Sequence, residues 1–298
     1  MTKSMRISRD VLDLDVFLSV DGSQIEVRFL AEVSGDRLLI NQFNTGQDIH
    51  CLVGNTLTGY SVERIRAEKN LRKMIKNLHF GIIYGKGREG LYEFVVALIR
   101  KLEGPNADLT GITQEALVKL YDAYFERYGG VRRFIQEARR IVQEDGHADT
   151  IYGFRREIRQ DSDTRKTFWL NQAVNTPIQG SAHQFLLIAI ALLHMKPVTY
   201  SLLQRPTLEI HDQLVFLVKL RNLLEAYTQV MHLIQEGAVQ YTERHFRRKI
   251  RVPILGEAQA GFCLGSLVDY SGESLESLLT KWRAKQNEID CKSWSDIK

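Results

Sequence analysis

The sequence predicts an α+β fold, in which a small sheet domain carries a helical domain inserted between its strands. Three observations predict it. β-prone segments stand toward both ends of the chain, at "DVFLSVDGS" and at "TLEIHDQLVFLV". Helical periodicity fills most of the stretch between them. No internal repeat or low-complexity linker divides the 298 residues, a length that suits about two domains.

Each element follows from its pattern. "DVFLSVDGS" reads as a strand ending in an acid and a turn. "SQIEVRFLAEVSGD" places Ile25, Phe29, Leu30 and Val33 at helical spacing, closed by Gly35. Residues 61–80 are helical in pattern, with "GIIYGKG" near the end. Residues 113–145 are helical and broken at Gly129 and Gly130. "TIYGFRREI" reads as a short hairpin, and "IQGSAHQFLLIAIALLHM" as a long apolar helix ended by Pro197. A strand–HDQ–strand unit comes next, and the polar, amphipathic stretch 271–298 reads as a helix plus tail.

Composition excludes disordered and fibrous classes: 44% of residues are hydrophobic and 26% charged. The three cysteines, Cys51, Cys263 and Cys291, are scattered and form no CxxC pair, so neither a disulfide framework nor a zinc site is expected. "MTKSMRISRD" lacks the apolar core of a signal peptide, and "FLLIAIALLHM" is shorter than a membrane span needs. A reducing, cytoplasmic location is the expectation. Net charge is only +4, but bases cluster at 64–76, between Arg132 and Lys166, and in "RHFRRKIR" at 244–251. Such stripes fit a polyanion partner, and any one of them alone fits a solvated helix face equally well.

Asp212 interrupts an apolar, β-prone run, and burying a lone carboxylate there would cost on the order of several kcal/mol. Asp21 stands at the end of another such run. Carboxylates on neighbouring strands can converge, and their repulsion then calls for a cation; hard oxygen ligands suit Mg²⁺. Two such ions about 3.5–4 Å apart serve the attacking and leaving oxygens of phosphoryl transfer. An Asp at a strand end is also an ordinary turn or cap residue, so spacing leaves both readings open.

In "RKMIKNLHFGIIYG", Arg72, Lys76 and Phe80 fall at i, i+4 and i+8, one drifting stripe that Tyr84 extends. Two cations followed by two aromatics match a nucleoside triphosphate laid lengthwise. A basic helix with its aromatics in the core has the same pattern.

These segments resemble those of family A DNA polymerases, the bacterial DNA polymerase I and phage replicase family. "DGSQIEVRFLAEVSGD…GQDIH" resembles motif A, "RKMIKNLHFGIIYG" motif B and "EIHDQLVF" motif C. "YFERYGGV", "TIYGFRREI" and "NTPIQGSA" match further blocks in the same order, so the resemblance covers about residues 6–270. It implies a palm (residues 1–47 with motif A, and 168–270 with motif C), helical fingers (48–167, motif B) and a C-terminal tail (271–298), without thumb or exonuclease. It further implies that Asp21, Asp212 and the backbone carbonyl of Gly22 bind two Mg²⁺ ions. Glu26 would exclude a 2′-hydroxyl, with Gln24 beside it. His50, Arg72 and Lys76 would contact the triphosphate, Lys76 also as proton donor to the pyrophosphate. Phe80 would stack on the incoming dNTP and disfavour nucleotides lacking a 3′-hydroxyl, while Tyr84 would close the template side. Asn175, Gln179 and His211 would touch the primer–template minor groove, and Arg156 its backbone.

The chain departs from the family pattern in four ways. Gly22 replaces the usual Tyr, and Gln213 replaces the usual Glu, removing one negative charge. Asn171 stands where many relatives carry Arg. Only about twenty residues precede motif A, where the family has a thumb and often a proofreading exonuclease. Without a thumb, duplex binding would be weak and salt-sensitive, falling by orders of magnitude for ~6–10 lost phosphate contacts. The resulting expectation is a split polymerase whose thumb, and perhaps exonuclease, comes from a second polypeptide; a fragment of a longer chain is the plainer alternative. The competing function is a non-catalytic DNA-binding or structural subunit derived from a polymerase. A single-subunit RNA polymerase is disfavoured because Glu26 would block a ribose.

Overall fold

In the computed structural model, which describes residues 9–84, 87–110, 112–159, 168–203 and 206–295, the chain folds into two units. One comprises Met1–Ile25, Ala182–Ile250 and Ile254–Lys298; the other comprises Glu26–Ser181 and Arg251–Pro253.

The first unit is built on an antiparallel sheet. Its strands are β1 (Asp15–Gly22), β4 (Leu208–Ile210), β5 (Gln213–Lys219), β6 (Gly256–Gly261) and β7 (Val268–Tyr270), in the order β4-β5-β1-β6-β7. Alternation fixes the register. Val16, Leu18 and Val20 are fully buried and pair with Val218, Phe216 and Leu214 of β5. On the other side Leu18 and Val20 pair with Ala260 and Ala258 of β6. Each such large side chain contributes about 1.5–3 kcal/mol on burial, so a one-residue slip that exposed this face would be strongly disfavoured. The unit's helices are α1 (Arg9–Leu12), α11 (Ser181–Met195), α12 (Leu223–His232), α13 (Ala238–His245) and α14 (Leu275–Ser295). α12 packs on β1 and β5. α14 is anchored by buried Leu278 and by Trp282, whose Nε1 donates to the Ala260 carbonyl at 2.6 Å.

The second unit is mostly helical: α2 (Ile25–Ser34), α3 (Arg37–Asn44), α4 (Ile49–Thr58), α5 (Val62–Ala67), α6 (Lys69–Ile83), α7 (Arg88–Glu103), α8 (Gln114–Arg127), α9 (Gly129–Asp145) and α10 (Phe168–Asn175). A hairpin of β2 (His147–Asp149) and β3 (Arg155–Glu157) completes it. Capping residues start several of these helices: Asp36, Asp48, Ser61 and Thr113 each accept from a backbone N–H in the first turn. Asp36 also accepts from the Gly130 N–H at 2.7 Å. A Cβ on Gly130 would lie 2.7 Å from the Asp36 Cα, so the diglycine lets α9 begin hard against the α3 cap. Arg251 and Val252 are tied to α2 because their N–H groups share one oxygen of buried Glu32, whose other oxygen accepts from the Arg251 guanidinium at 3.1 Å.

Several elements differ from the sequence expectation. The helical stretch 61–80 is divided at Glu68, whose extended backbone separates α5 from α6. Only the "RRE" of "TIYGFRREI" is strand; its partner is the preceding "HAD". The apolar helix is longer than expected. α10, a π-helical turn (Thr176–Gly180) and α11 run on from Phe168 to Met195, 28 residues, long and apolar enough by length and composition to cross a membrane. Half of its most apolar window is buried inside the protein. Pro177 lacks an N–H to donate within the π turn, where Ser181 Oγ also donates to the Pro177 carbonyl. Gly85 of the motif B segment, and Arg165 and Lys166 of the second basic cluster, lie outside the described residues.

Candidate active site

In the first unit, the acids are set by strand register. Asp21 lies at the solvent-exposed end of β1, on the face opposite Val20. Its cross-strand neighbours are Gln213 of β5 and Glu257 of β6. Asp212 immediately precedes β5, and its carbonyl accepts from the Gly22 N–H at 3.4 Å. The two aspartates therefore stand at adjacent strand ends of one sheet. The turn before β5 is tight: His211 is exposed and has a left-handed φ of 56°. The expected desolvation cost is not imposed here. Leu208 and Ile210 of β4 are 40% and 44% exposed, and Asp212 is only half-buried.

A cavity of about 460 Å³ opens on this face, lined by Asp21, Gln213, Glu257, Gln259, Asp269 and Lys281 among others. Lys281, from α14, donates to the Asp269 carbonyl at 3.0 Å, so the C-terminal segment walls one side. Glu257 also accepts from Ser23 Oγ. Sequence reasoning missed Glu257; the alternation of Glu257 and Gln259 with Ala258 and Ala260 was the available signal.

Gly22 lies close to the first residue of α2: a Cβ there would sit 2.8 Å from the Ile25 Cβ, so a side chain at this position requires that contact to shift. Gln24 takes a left-handed φ of 51° between β1 and α2, and its Oε1 is buried without a hydrogen-bond partner among the described residues.

The cavity lining beside Asp21 offers carboxylate, amide and hydroxyl oxygens together with the Lys281 ammonium, and neither sulfur nor imidazole; Asp212 is not among the residues that line it. Among the described residues no three His, Cys, Asp or Glu side chains form a metal-holding group. A pair of carboxylates fits Mg²⁺ all the same, since that ion commonly takes one or two carboxylates and leaves its remaining positions to water and substrate phosphates.

In the second unit, α6 carries the predicted stripe. Its inner face, Ile75, Leu78, His79, Ile82 and Ile83, is buried. Lys76 is exposed, while Arg72, Phe80 and Tyr84 are half-buried. The Lys76 ammonium lies 5.8 Å from the Phe80 ring centroid, and the Phe80 and Tyr84 rings stack at 5.9 Å. Arg72 is held by Asp48, the α4 N-cap, with Nε and Nη2 on one oxygen at 3.2 and 3.0 Å. Burial alone would raise the Asp48 carboxyl, but the Arg72 guanidinium outweighs it and holds the pKa below the ordinary value.

His50 is 1% exposed rather than displayed on the surface. Its Nδ1 lies 3.2 Å from Nδ1 of His79, whose Nε2 lies 2.9 Å from the Tyr124 hydroxyl. Burial lowers the His50 pKa to about 4, with Lys76 and Arg72 reinforcing and Asp48 opposing. Glu26, in the first turn of α2, accepts from Tyr84 at one oxygen and from Gln179 Nε2 at the other, 3.0 Å away. Gln179 sits in the π turn, where Gly180 lets the hairpin approach: a Cβ there would lie 2.9 Å from Thr150 Cγ2. Asn175 ends α10 with its Oδ1 buried and without a partner among the described residues. Arg156 is exposed on β3 opposite Ala148. The basic clusters are partly consumed internally: Arg64 pairs with Glu68, Arg140 with Glu137 and Glu144, Arg155 with Asp149, and Arg251 with Glu32.

The sequence profile of DNA polymerase family A matches residues 5–262. The chain belongs to this family. It is 33% identical over 202 residues to DNA polymerase I of Mycobacterium bovis (strain ATCC BAA-935 / AF2122/97), covering 67% of this chain and 20% of that protein. To DNA polymerase I of Streptococcus pneumoniae (strain ATCC BAA-255 / R6) it is 30% identical over 251 residues, covering 83% and 25%. The fold resembles the POL domain of Pol1 from M. smegmatis, solved in complex with DNA primer-template and dNTP, with a TM-score of 0.66, 27% identity, and coverage of 83% of this chain and 39% of that one. The chain thus spans about a fifth to a quarter of the length of these curated relatives.

Proposed function

We propose that the chain carries the nucleotidyl-transfer site of a DNA-templated DNA polymerase, with a palm at 1–47 and 168–270, fingers at 48–167 and a tail at 271–298. The observation that carries this reading is the register of β1 on β5, which sets Asp21 beside the strand end bearing Asp212 and Gln213. The two units described above divide the chain after Ile25 and Ser181, so the functional division and the packing division fall at different residues. The substrates are primer–template DNA and a dNTP, and the location is the cytoplasm.

In this mechanism the primer 3′-hydroxyl gives its proton to solvent water and its oxygen forms a bond to the α-phosphorus of the dNTP. The bond from that phosphorus to the bridging oxygen of pyrophosphate breaks in line. Asp21, Asp212 and the Gly22 carbonyl would hold two Mg²⁺ ions, which when bound supply charge stabilisation for the attacking and leaving oxygens. Arg72 and Lys76 bind the triphosphate, and Lys76 gives a proton to the departing pyrophosphate. Phe80 packs on the incoming nucleotide and Tyr84 borders the template side. Glu26 walls off a 2′-hydroxyl, supported by Gln24. Asn175, Gln179, His211 and Arg156 meet the primer–template. Catalysis here is positioning and electrostatics rather than covalent chemistry.

The chain spans about a fifth to a quarter of these relatives' length. We place a thumb, with the duplex phosphate contacts it would add, and, where proofreading exists, an exonuclease on a second polypeptide. A primer-extension assay tests the reading: the chain adds single nucleotides at low salt and loses product steeply as salt rises. Processive synthesis by this chain alone in moderate salt would remove the need for a second polypeptide. A non-catalytic, DNA-binding role is the second reading, favoured by Gln213 opposite Asp21. Under that reading the assay yields no product at any salt, with or without added partner proteins.

A further inference from the structure

Inside the second unit, three side chains from three helices form a continuous hydrogen-bonded run: Tyr124 of α8, His79 of α6 and His50 of α4. All three are 1% exposed. Burial keeps both imidazoles neutral, so each carries one proton and each ring has one donor and one acceptor nitrogen. The contact between the two Nδ1 atoms, at 3.2 Å, must then hold a single proton belonging to one ring.

Two arrangements satisfy that condition. In the first, Tyr124 donates to His79 Nε2, His79 Nδ1–H donates to His50 Nδ1, and the His50 proton sits on Nε2. In the second every bond is reversed: His79 Nε2–H donates to the Tyr124 oxygen, His50 Nδ1–H donates to His79, and His50 Nε2 is bare. The His50 Nε2 atom is buried with no partner among the described residues. The first arrangement therefore leaves the His50 Nε2–H unmatched and the Tyr124 oxygen, a weak phenolic acceptor, unused. The second leaves the two stronger groups unmatched, the bare His50 Nε2 acceptor and the Tyr124 hydroxyl donor. Unmatched buried polar groups are costly, so the first arrangement wins.

We infer that Tyr124 and His79 act as a positioning relay that holds His50 in the Nε2–H tautomer, presenting a fixed, neutral hydrogen-bond donor. Its natural acceptor is an anionic oxygen, and here the inference rests on the reading above, in which His50 meets a nucleoside triphosphate. Tyr124 and His79 touch no substrate in this account; they act through His50. His79 occupies the motif B segment beside Phe80, so the helix that carries the stripe also orients the donor.

The test reads the tautomers directly. Long-range ¹H–¹⁵N correlation spectra of the histidine-labelled chain at neutral pH, assigned with His50→Gln and His79→Gln, should show His50 protonated at Nε2 and His79 at Nδ1. In Tyr124→Phe the two arrangements leave equal numbers of unmatched groups, so both rings should show mixed tautomers. KM for dATP should then rise about threefold with kcat changed less than about twofold, as expected for one weakened neutral hydrogen bond. Finding His50 protonated at Nδ1 in the unaltered chain would overturn the relay, whatever the binding results. The predicted tautomers together with unchanged dATP affinity in His50→Gln would leave the relay standing and remove the phosphate contact.

Discussion

The phenolic hydroxyl of Tyr84 donates to Oε2 of Glu26 at 2.5 Å, joining the C-cap of α6 to the first turn of α2. Burial, then the Glu26 charge, drives the Tyr84 pKa far above its ordinary value, so the hydroxyl keeps its proton and remains the donor. With Gln179 on its other oxygen, the Glu26 carboxylate is held from two sides. A carboxylate fixed this way makes a firm wall rather than a mobile charge.

Glu26→Ala should relax sugar selection. The ratio of kcat/KM for a dNTP over the matching ribonucleotide should fall by about tenfold or more, because the discrimination comes from a blocking group. An unchanged ratio would remove Glu26 from sugar selection.

The buried imidazoles make stability depend on pH. The His50 pKa is about 4 in the folded chain and about 6.5 unfolded, so the unfolded state binds more protons between those values. Stability should be flat above about pH 7 and fall as pH drops from 6.5 toward 4, by on the order of 3 kcal/mol from His50. His79 acts in the same direction. Urea unfolding at pH 7.5 and pH 5 checks the sign; equal stability at both would contradict the burial of neutral histidines.

Gly22→Tyr, which restores the residue usual in the family, should destabilise this chain. The Ile25 Cβ stands 2.8 Å from the position of the new Cβ, and overpacking of that kind typically costs about 1–3 kcal/mol. Thermal unfolding should show a lowered Tm.

Gln213→Glu should tighten Mg²⁺ binding, because it puts a third carboxylate in line with Asp21 and Glu257 across three strands. The same change should lower stability without metal, since like charges directly opposite on a sheet repel. Calorimetric Mg²⁺ titration and metal-free melts should move in these opposite directions.

Much of this was legible along the chain because it is local. The strand ending at Asp21, the helix closed by Gly35 and the break at the diglycine follow from alternation, periodicity and glycine alone. The aspartates' adjacency was conditional on strand order, and β1 does lie next to β5. Contacts between distant segments were not legible. Nothing near Glu257 signals that β6 pairs with β1 rather than with another strand. The His50–His79–Tyr124 run joins three helices whose packing no single segment encodes. Glu68 divides one apparent helix into two although no proline or glycine marks the place. The burial of charge expected around Asp212 was wrong because β4 is an edge strand with both Leu208 and Ile210 exposed.

The central claim is that Asp21 and Asp212 support nucleotidyl transfer. Single-nucleotide incorporation, measured with Mg²⁺ at low salt and saturating chain, tests it most directly when the unaltered protein is set beside Asp21→Asn and Asp212→Asn. Product should form with the unaltered chain and fall at least about 10²–10³-fold in either variant, with primer–template binding largely kept. Incorporation that survives in either variant, or that never occurs in the unaltered chain, would contradict the account.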